Sequence, residues 1–192
     1  VDAGDTGRLI FNIENTHGIK YAAMQRKAIE TALLDGVMIL TGGPGTGKTT
    51  IIRGLISIFD SLGLDVALAA PTGRAAKRMS EATSYEAMTV HRLLEMEYNE
   101  NDEPKFVRNQ ANPLDAEVFI IDESSMIDVM LLEAFLWAVK PGARVIFIGD
   151  SDQLPSVGAG NVLADLISSG TIATADLVEI FRQSSESLIV TN

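Results

Sequence analysis

The sequence predicts an α/β fold, a mostly parallel sheet flanked by helices in three layers, α/β/α. Two observations carry this. Apolar, β-branched runs recur at "GVMILTG" (36–42), "DVALAAP" (65–71), "EVFIIDE" (117–123) and "RVIFIGD" (144–150), each followed by residues able to form a helix. That alternation is what a parallel sheet with crossover helices leaves in a sequence. The first run also opens directly into a glycine-rich loop, "GGPGTGKTT", placed between strand and helix.

The remaining elements follow from the same patterns. A shorter run, "ADLVEIF" (175–181), is expected to extend the sheet. After the third run, Val129, Leu132, Phe135, Leu136 and Val139 recur at helical spacing, so this stripe is expected to face the sheet, with Trp137 lying off it. Residues 95–116, "EMEYNENDEPKFVRNQANPLDA", break the rhythm and read as either a solvated loop or a protruding hairpin.

Composition bounds the function classes. A chain of 192 residues with 46% hydrophobic content and mean hydropathy +0.18 is expected to fold as one domain. Its longest apolar runs fall well short of the roughly 18 residues a membrane span needs, and its start, "VDAGDTGR", lacks a basic then apolar leader. The expected setting is cytoplasmic, with no membrane partner. The absence of cysteine excludes disulfides and thiolate metal sites. A net charge of −11 and a pI near 4.5 exclude a surface that attracts nucleic acid as a whole, so any phosphate-backbone contact has to be local. The first residue is Val and the last residues, "SLIVTN", read as the start of an apolar element; the expectation is a piece of a longer chain.

The chemistry concentrates at strand ends. Gly42 to Thr49 match G-x-x-x-x-G-K-[ST], after a predicted strand and before a predicted helix. Gly43, Gly45 and Gly47, with Pro44 and Thr46, let backbone N–H groups turn in around phosphate oxygens. The helix end at Thr49 and Thr50 adds partial positive charge, Lys48 reaches the β and γ phosphates, and the Thr49 hydroxyl can ligate magnesium. The third strand ends in "IIDES", where Asp122 can hold magnesium and Glu123 can orient and deprotonate water. The next strand ends in "GDSDQLPSVGAG" (149–160), which aims Gln153 at the γ-phosphate as a sensor that changes partners on hydrolysis.

Six stretches then carry a family resemblance: "GGPGTGKTT", "APTGRAAKRM" (70–79), "TVHRLL" (89–94), "IIDESSMID" (120–128), "GDSDQLPSVGAG" and "LVEIFRQ" (177–183). In order and spacing they resemble superfamily-one DNA helicases, and in wording the RecD-like branch, the exodeoxyribonuclease V alpha-chain relatives. The resemblance covers roughly residues 22–192 and leaves residues 1–20 unassigned. It implies a RecA-like P-loop NTPase over 21–192, the first motor domain of a helicase of DNA repair and recombination that uses ATP and magnesium. It further implies that Gln25 recognises adenine and that Arg182 contacts the γ-phosphate. Thr72, Arg74, Thr89, His91 and Arg92 would lie along single-stranded DNA, joined by Lys77 and Arg78 of the basic cluster. A helix-start turn at 72–74 and a buried histidine at 91 stay open as structural readings. Residues 95–109 match a strand-separating pin in position, with an acidic tip, "YNENDEP". The implied partners are single-stranded DNA, a second motor domain of the same polypeptide beyond residue 192, and other recombination subunits; the implied polarity is five-prime to three-prime. A P-loop kinase or other phosphotransferase is the alternative from another class. It shares the phosphate loop but gives no reason for "GDSDQLPSVGAG" or "FRQ".

Overall fold

The computed structural model describes residues 3–150, 158 and 160–177. In chain order the elements are α1 (Ala3–His17), α2 (Ala23–Leu34), β1 (Val37–Thr41), α3 (Lys48–Ser61), β2 (Val66–Ala70), α4 (Gly73–Thr83), β3 (Ala87–Thr89), α5 (Val90–Leu93), β4 (Met96–Tyr98), β5 (Pro104–Phe106), β6 (Val118–Ile121), a 3-10 turn (Ser124–Met126), α6 (Val129–Ala138), β7 (Arg144–Gly149), α7 (Val162–Ser168) and β8 (Ala173–Asp176). The six-stranded sheet runs β3-β2-β6-β7-β1-β8, and every neighbouring pair is parallel.

Because successive side chains of a strand point to opposite faces, each central strand supplies both cores. Met38 and Leu40 of β1, with Ile120, Ile146 and Leu68, pack against Ile29 and Leu33 of α2 and Ile51, Leu55 and Phe59 of α3. Ile39, with Phe119, Ile121 and Phe147, packs on the other face with Val90, Leu131, Phe135 and Leu163. Phe135 sits edge-on to Phe119 at 5.5 Å between ring centroids and to Phe147 at 6.4 Å. These are the three layers the sequence predicts.

The α6 stripe differs from expectation. Its buried residues are Leu131, Phe135 and Ala138, with Leu132 and Val139 partly buried, whereas Val129 and Leu136 are 46% and 49% exposed. At about 100° per residue, Leu131, Phe135 and Ala138 share one narrow arc, and Val129 and Leu136 fall roughly 140° or more from Leu131. Val129 instead meets Gly160, where a Cβ would come within 2.5 Å of its Cγ2. Trp137 is exposed, off the buried face.

Three further elements depart from or refine the sequence reading. The segment after α5 forms an antiparallel hairpin, with Met96 opposite Phe106 and Tyr98 opposite Pro104. Arg108 staples its base, donating to Glu95 Oε1 at 2.9 Å, the Pro113 carbonyl at 3.1 Å and Asp115 Oδ2 at 3.3 Å. The last sheet strand begins at Ala173 and pairs with β1, and the part of the predicted strand past Leu177 lies outside the described residues. The N-terminal segment is a helix: Ile10 and Ile13 of α1 enter the same core as α2 and α3. Buried Glu14 accepts from the Tyr21 N–H at 3.0 Å and pairs with Arg26 at 3.2 Å, locking α1 to the start of α2. Among the described residues no helix is long and apolar enough to cross a membrane.

Candidate active site

Parallel strands bring their carboxyl ends to one edge of the sheet, and in open α/β sheets that edge holds the ligand. Four of the predicted strand ends meet there. The loop after β1 is tied to the end of β7 by a hydrogen bond from the Gly42 N–H to the Gly149 carbonyl, 3.2 Å. Gly45 and Gly47 have φ of +76° and +88°, the left-handed region that favours glycine. Gly47 is also hemmed in, since a Cβ there would lie 2.3 Å from Gln25 Nε2. Gly47 caps α3 without offering a side chain, which leaves the first turn to an outside anion. Thr46 Oγ1 donates to the Gly43 carbonyl at 2.8 Å, and Lys48 Nζ donates to the carbonyls of Gly42 and, at 3.2 Å, Gly43. The lysine thus lies across the loop, where arriving phosphate oxygens would replace the carbonyls.

Gln25 is brought to the phosphate loop by α2. Its Oε1 accepts from the Ala22 N–H at 3.0 Å, capping the helix from its third residue, while its amide nitrogen rests on Gly47. A helix-capping role and a position beside the nucleotide loop are therefore combined in one side chain.

Asp122 and Glu123 follow β6. Asp122 Oδ1 accepts from the Glu123 N–H at 2.9 Å. Burial pushes the Asp122 carboxyl above the usual carboxylate range, its hydrogen bond from the Glu123 N–H and the cations Lys48 and Arg78 oppose this, and Glu123 adds to it. Glu123 holds a left-handed backbone, φ +53°, uncommon outside glycine, which turns its side chain at the start of the 3-10 turn. Its Oε1 accepts from Arg78 Nη2 at 3.0 Å. Pro44 to Thr49, Arg78, Asp122, Glu123 and Gly149 enclose one cleft of about 430 Å³. Thr49 and Asp122 also line a smaller neighbouring hollow of about 230 Å³. No group of three or more metal-ligating side chains occurs among the described residues. A hydroxyl and one half-buried carboxylate match what magnesium takes from a protein when phosphates supply the other ligands.

The DNA-contact candidates occupy the next two strand ends. Ala70 of β2 pairs with Thr89 of β3, and each strand runs into a helix capped by a threonine. Thr72 Oγ1 accepts from the Ala75 N–H at 3.2 Å and Thr89 Oγ1 from the Arg92 N–H at 3.1 Å. The structural reading of 72–74 as a helix start is thus observed. Arg74, Lys77, Arg78 and Arg92 are exposed, and Lys77 pairs loosely with Glu81 at 3.9 Å. His91 is half-buried rather than enclosed, its ring 6.3 Å from that of Phe106. Thr50 lies in the first turn of α3, beside Thr49. Gln153 and Arg182 lie outside the described residues. Gly158 lies against the cap of α6: a Cβ there would lie 2.6 Å from Asp128 Oδ2.

One contact at the cleft has no counterpart in the sequence motifs. The sequence places Arg78 in a basic cluster expected to face DNA, and the structure has it line the cleft as well and pair with Glu123, 45 residues away.

A glycine-rich strand-to-helix loop with an invading lysine, facing a pair of carboxylates at the end of β6, defines a phosphate-binding P-loop domain. The chain belongs to the AAA domain family, whose model matches residues 25–159. It is 43% identical over 154 residues to the ATP-dependent RecD2 DNA helicase of Deinococcus radiodurans, covering 80% of this chain and 21% of that protein. It is 40% identical over 183 residues to the RecBCD enzyme subunit RecD of Mycobacterium tuberculosis, covering 83% of this chain and 31% of that one. The chain therefore spans about a fifth to a third of the length of these curated relatives. Among solved structures, the Pif1 helicase from Candida albicans matches with a TM-score of 0.61 at 24% identity, over 83% of this chain and 40% of its own. Bacteroides sp Pif1 in complex with ADP-AlF4 matches with a TM-score of 0.57 at 23% identity, over 85% and 43%. At those identities the likeness is one of fold, and it is the fold the sequence predicts.

Proposed function

We propose that this chain is the first motor domain of an ATP-driven DNA helicase of the RecD kind, which works in the cytoplasm in DNA recombination or repair. The observation that carries the reading is the cleft in which Lys48, Thr49, Asp122 and Glu123 converge while Arg78 enters it from the basic helix α4. Phosphate chemistry and a cationic surface meet in one place. The identity to the ATP-dependent RecD2 DNA helicase and to the RecBCD enzyme subunit RecD supports the same reading.

In this account the loop 42–50 and Lys48 bind the triphosphate of ATP, with Gln25 on the adenine side. Thr49 and Asp122 hold magnesium together with phosphate oxygens, which supplies charge stabilisation for phosphoryl transfer. Glu123 orients and deprotonates water. Gln153 and Arg182 are assigned to the γ-phosphate. Thr72, Arg74, Lys77, Thr89, His91 and Arg92 face single-stranded DNA, and the hairpin 95–109 is the strand-separating pin. A second motor domain of the same polypeptide closes the cleft, and other recombination subunits are candidate partners.

The test is ATP turnover of the full-length protein with increasing oligothymidylate. A motor domain is expected to turn over at least several times faster with DNA bound. Turnover indifferent to DNA but accelerated by a small-molecule phosphate acceptor would replace the helicase reading with a kinase.

A further inference from the structure

The pair between Arg78 and Glu123 joins the two halves of the site. Glu123 is the carboxylate assigned to water, and an oxygen that already accepts from a guanidinium at 3.0 Å is less able to take a proton from water. Arg78 stands on α4 four residues after Arg74, so the two cations lie on one face, about one helical turn apart. The arginine side chain is 63% exposed and the glutamate 22%, so the cation is the member of the pair that solvent-borne groups can reach. Arg74 makes no ion pair among the described residues, and Lys77 pairs only loosely with Glu81, at 3.9 Å, so both can join Arg78 on the same phosphate path. A guanidinium binds a phosphate in the same forked geometry as a carboxylate. An ion pair this exposed shifts a population by a factor of only about two to five, so one phosphate contact suffices to exchange it.

We propose that Arg78 is a positioning residue for hydrolysis, which clasps Glu123 while the path along α4 is empty and turns to a backbone phosphate of single-stranded DNA when that path is filled. Glu123 is then released to act on water, so the nucleotide is spent chiefly when DNA is present. This inference rests on the motor reading given above.

The experiment is steady-state ATP turnover of the full-length protein, without DNA and with saturating oligothymidylate, for the wild type, Arg78→Ala and Arg78→Lys. Arg78→Ala is expected to raise the DNA-free kcat about two- to fivefold, to leave the KM for ATP unchanged, and to shrink the stimulation by DNA by the same factor. Arg78→Lys is expected to restore part of the repression, since an ammonium pairs with Glu123 but lacks the fork. A lower kcat in both states with a raised KM would overturn the clasp and make Arg78 a nucleotide contact. Unchanged DNA-free turnover in Arg78→Ala, with stimulation intact, would overturn it as a surface pair only. A wild type that ignores oligothymidylate would overturn the motor reading and the clasp together.

Discussion

Replacing Lys48 by alanine is expected to remove ATP and ADP binding, a loss of at least about 100-fold in affinity. Lys48 Nζ lies over the loop carbonyls of Gly42 and Gly43, where it is placed to exchange them for β- and γ-phosphate oxygens. Charge-assisted hydrogen bonds of this kind contribute roughly 1.5–3 kcal/mol each, so losing two accounts for the drop. The rest of the cradle is expected to stay in place, because the left-handed backbone at positions 45 and 47, φ +76° and +88°, is open to glycine whatever stands at position 48. Isothermal titration calorimetry with Mg-ATP and with Mg-ADP reads the effect. Equal affinity for wild type and variant would move the phosphate site elsewhere.

The second large effect is expected at Glu123. In the full-length protein Glu123→Gln should hold nucleotide affinity within about threefold and lower kcat by roughly 10²- to 10⁴-fold, the usual contribution of a general base. The amide has nearly the same shape and its oxygen can still accept from Arg78, so the cleft keeps its form. What it cannot do is accept the proton of the attacking water. Single-turnover and steady-state measurements separate the two quantities. Turnover near wild type would mean that another group activates water.

The parts of the site that the sequence made legible are those written in consecutive residues. A β-branched run followed by Gly42 to Thr49 specifies strand, loop and helix locally, and "IIDES" specifies a strand that ends in acid. The less legible parts have physical reasons. Helix α6, "VMLLEAFLWA", is apolar on nearly every side, so a 3.6-residue period cannot select its buried face; packing of Phe135 between Phe119 and Phe147 does. The strand β3 is three residues long, too short to alternate, and its place beside β2 comes from the sheet edge. The role of α1 in the core rests on Ile10 and Ile13, two positions without any motif around them. The contact of Arg78 with Glu123 and of Gln25 with Gly47 are meetings through space between separate motifs. Spacing along the chain carries no trace of either.

If one cleft couples the state of a nucleotide to a grip on DNA, the affinity for DNA must change with the nucleotide bound. Fluorescence anisotropy of a labelled single-stranded oligonucleotide, titrated with the full-length protein and magnesium, is compared between ADP and a non-hydrolysable ATP analogue. Coupling between two ligand sites typically amounts to about 1–3 kcal/mol, so the two dissociation constants are expected to differ by about fivefold or more. The same coupling requires that saturating DNA change the affinities for the two nucleotides by that same relative factor. Identical DNA affinity in both nucleotide states would contradict the account and leave the cleft an ATP site that drives nothing on DNA.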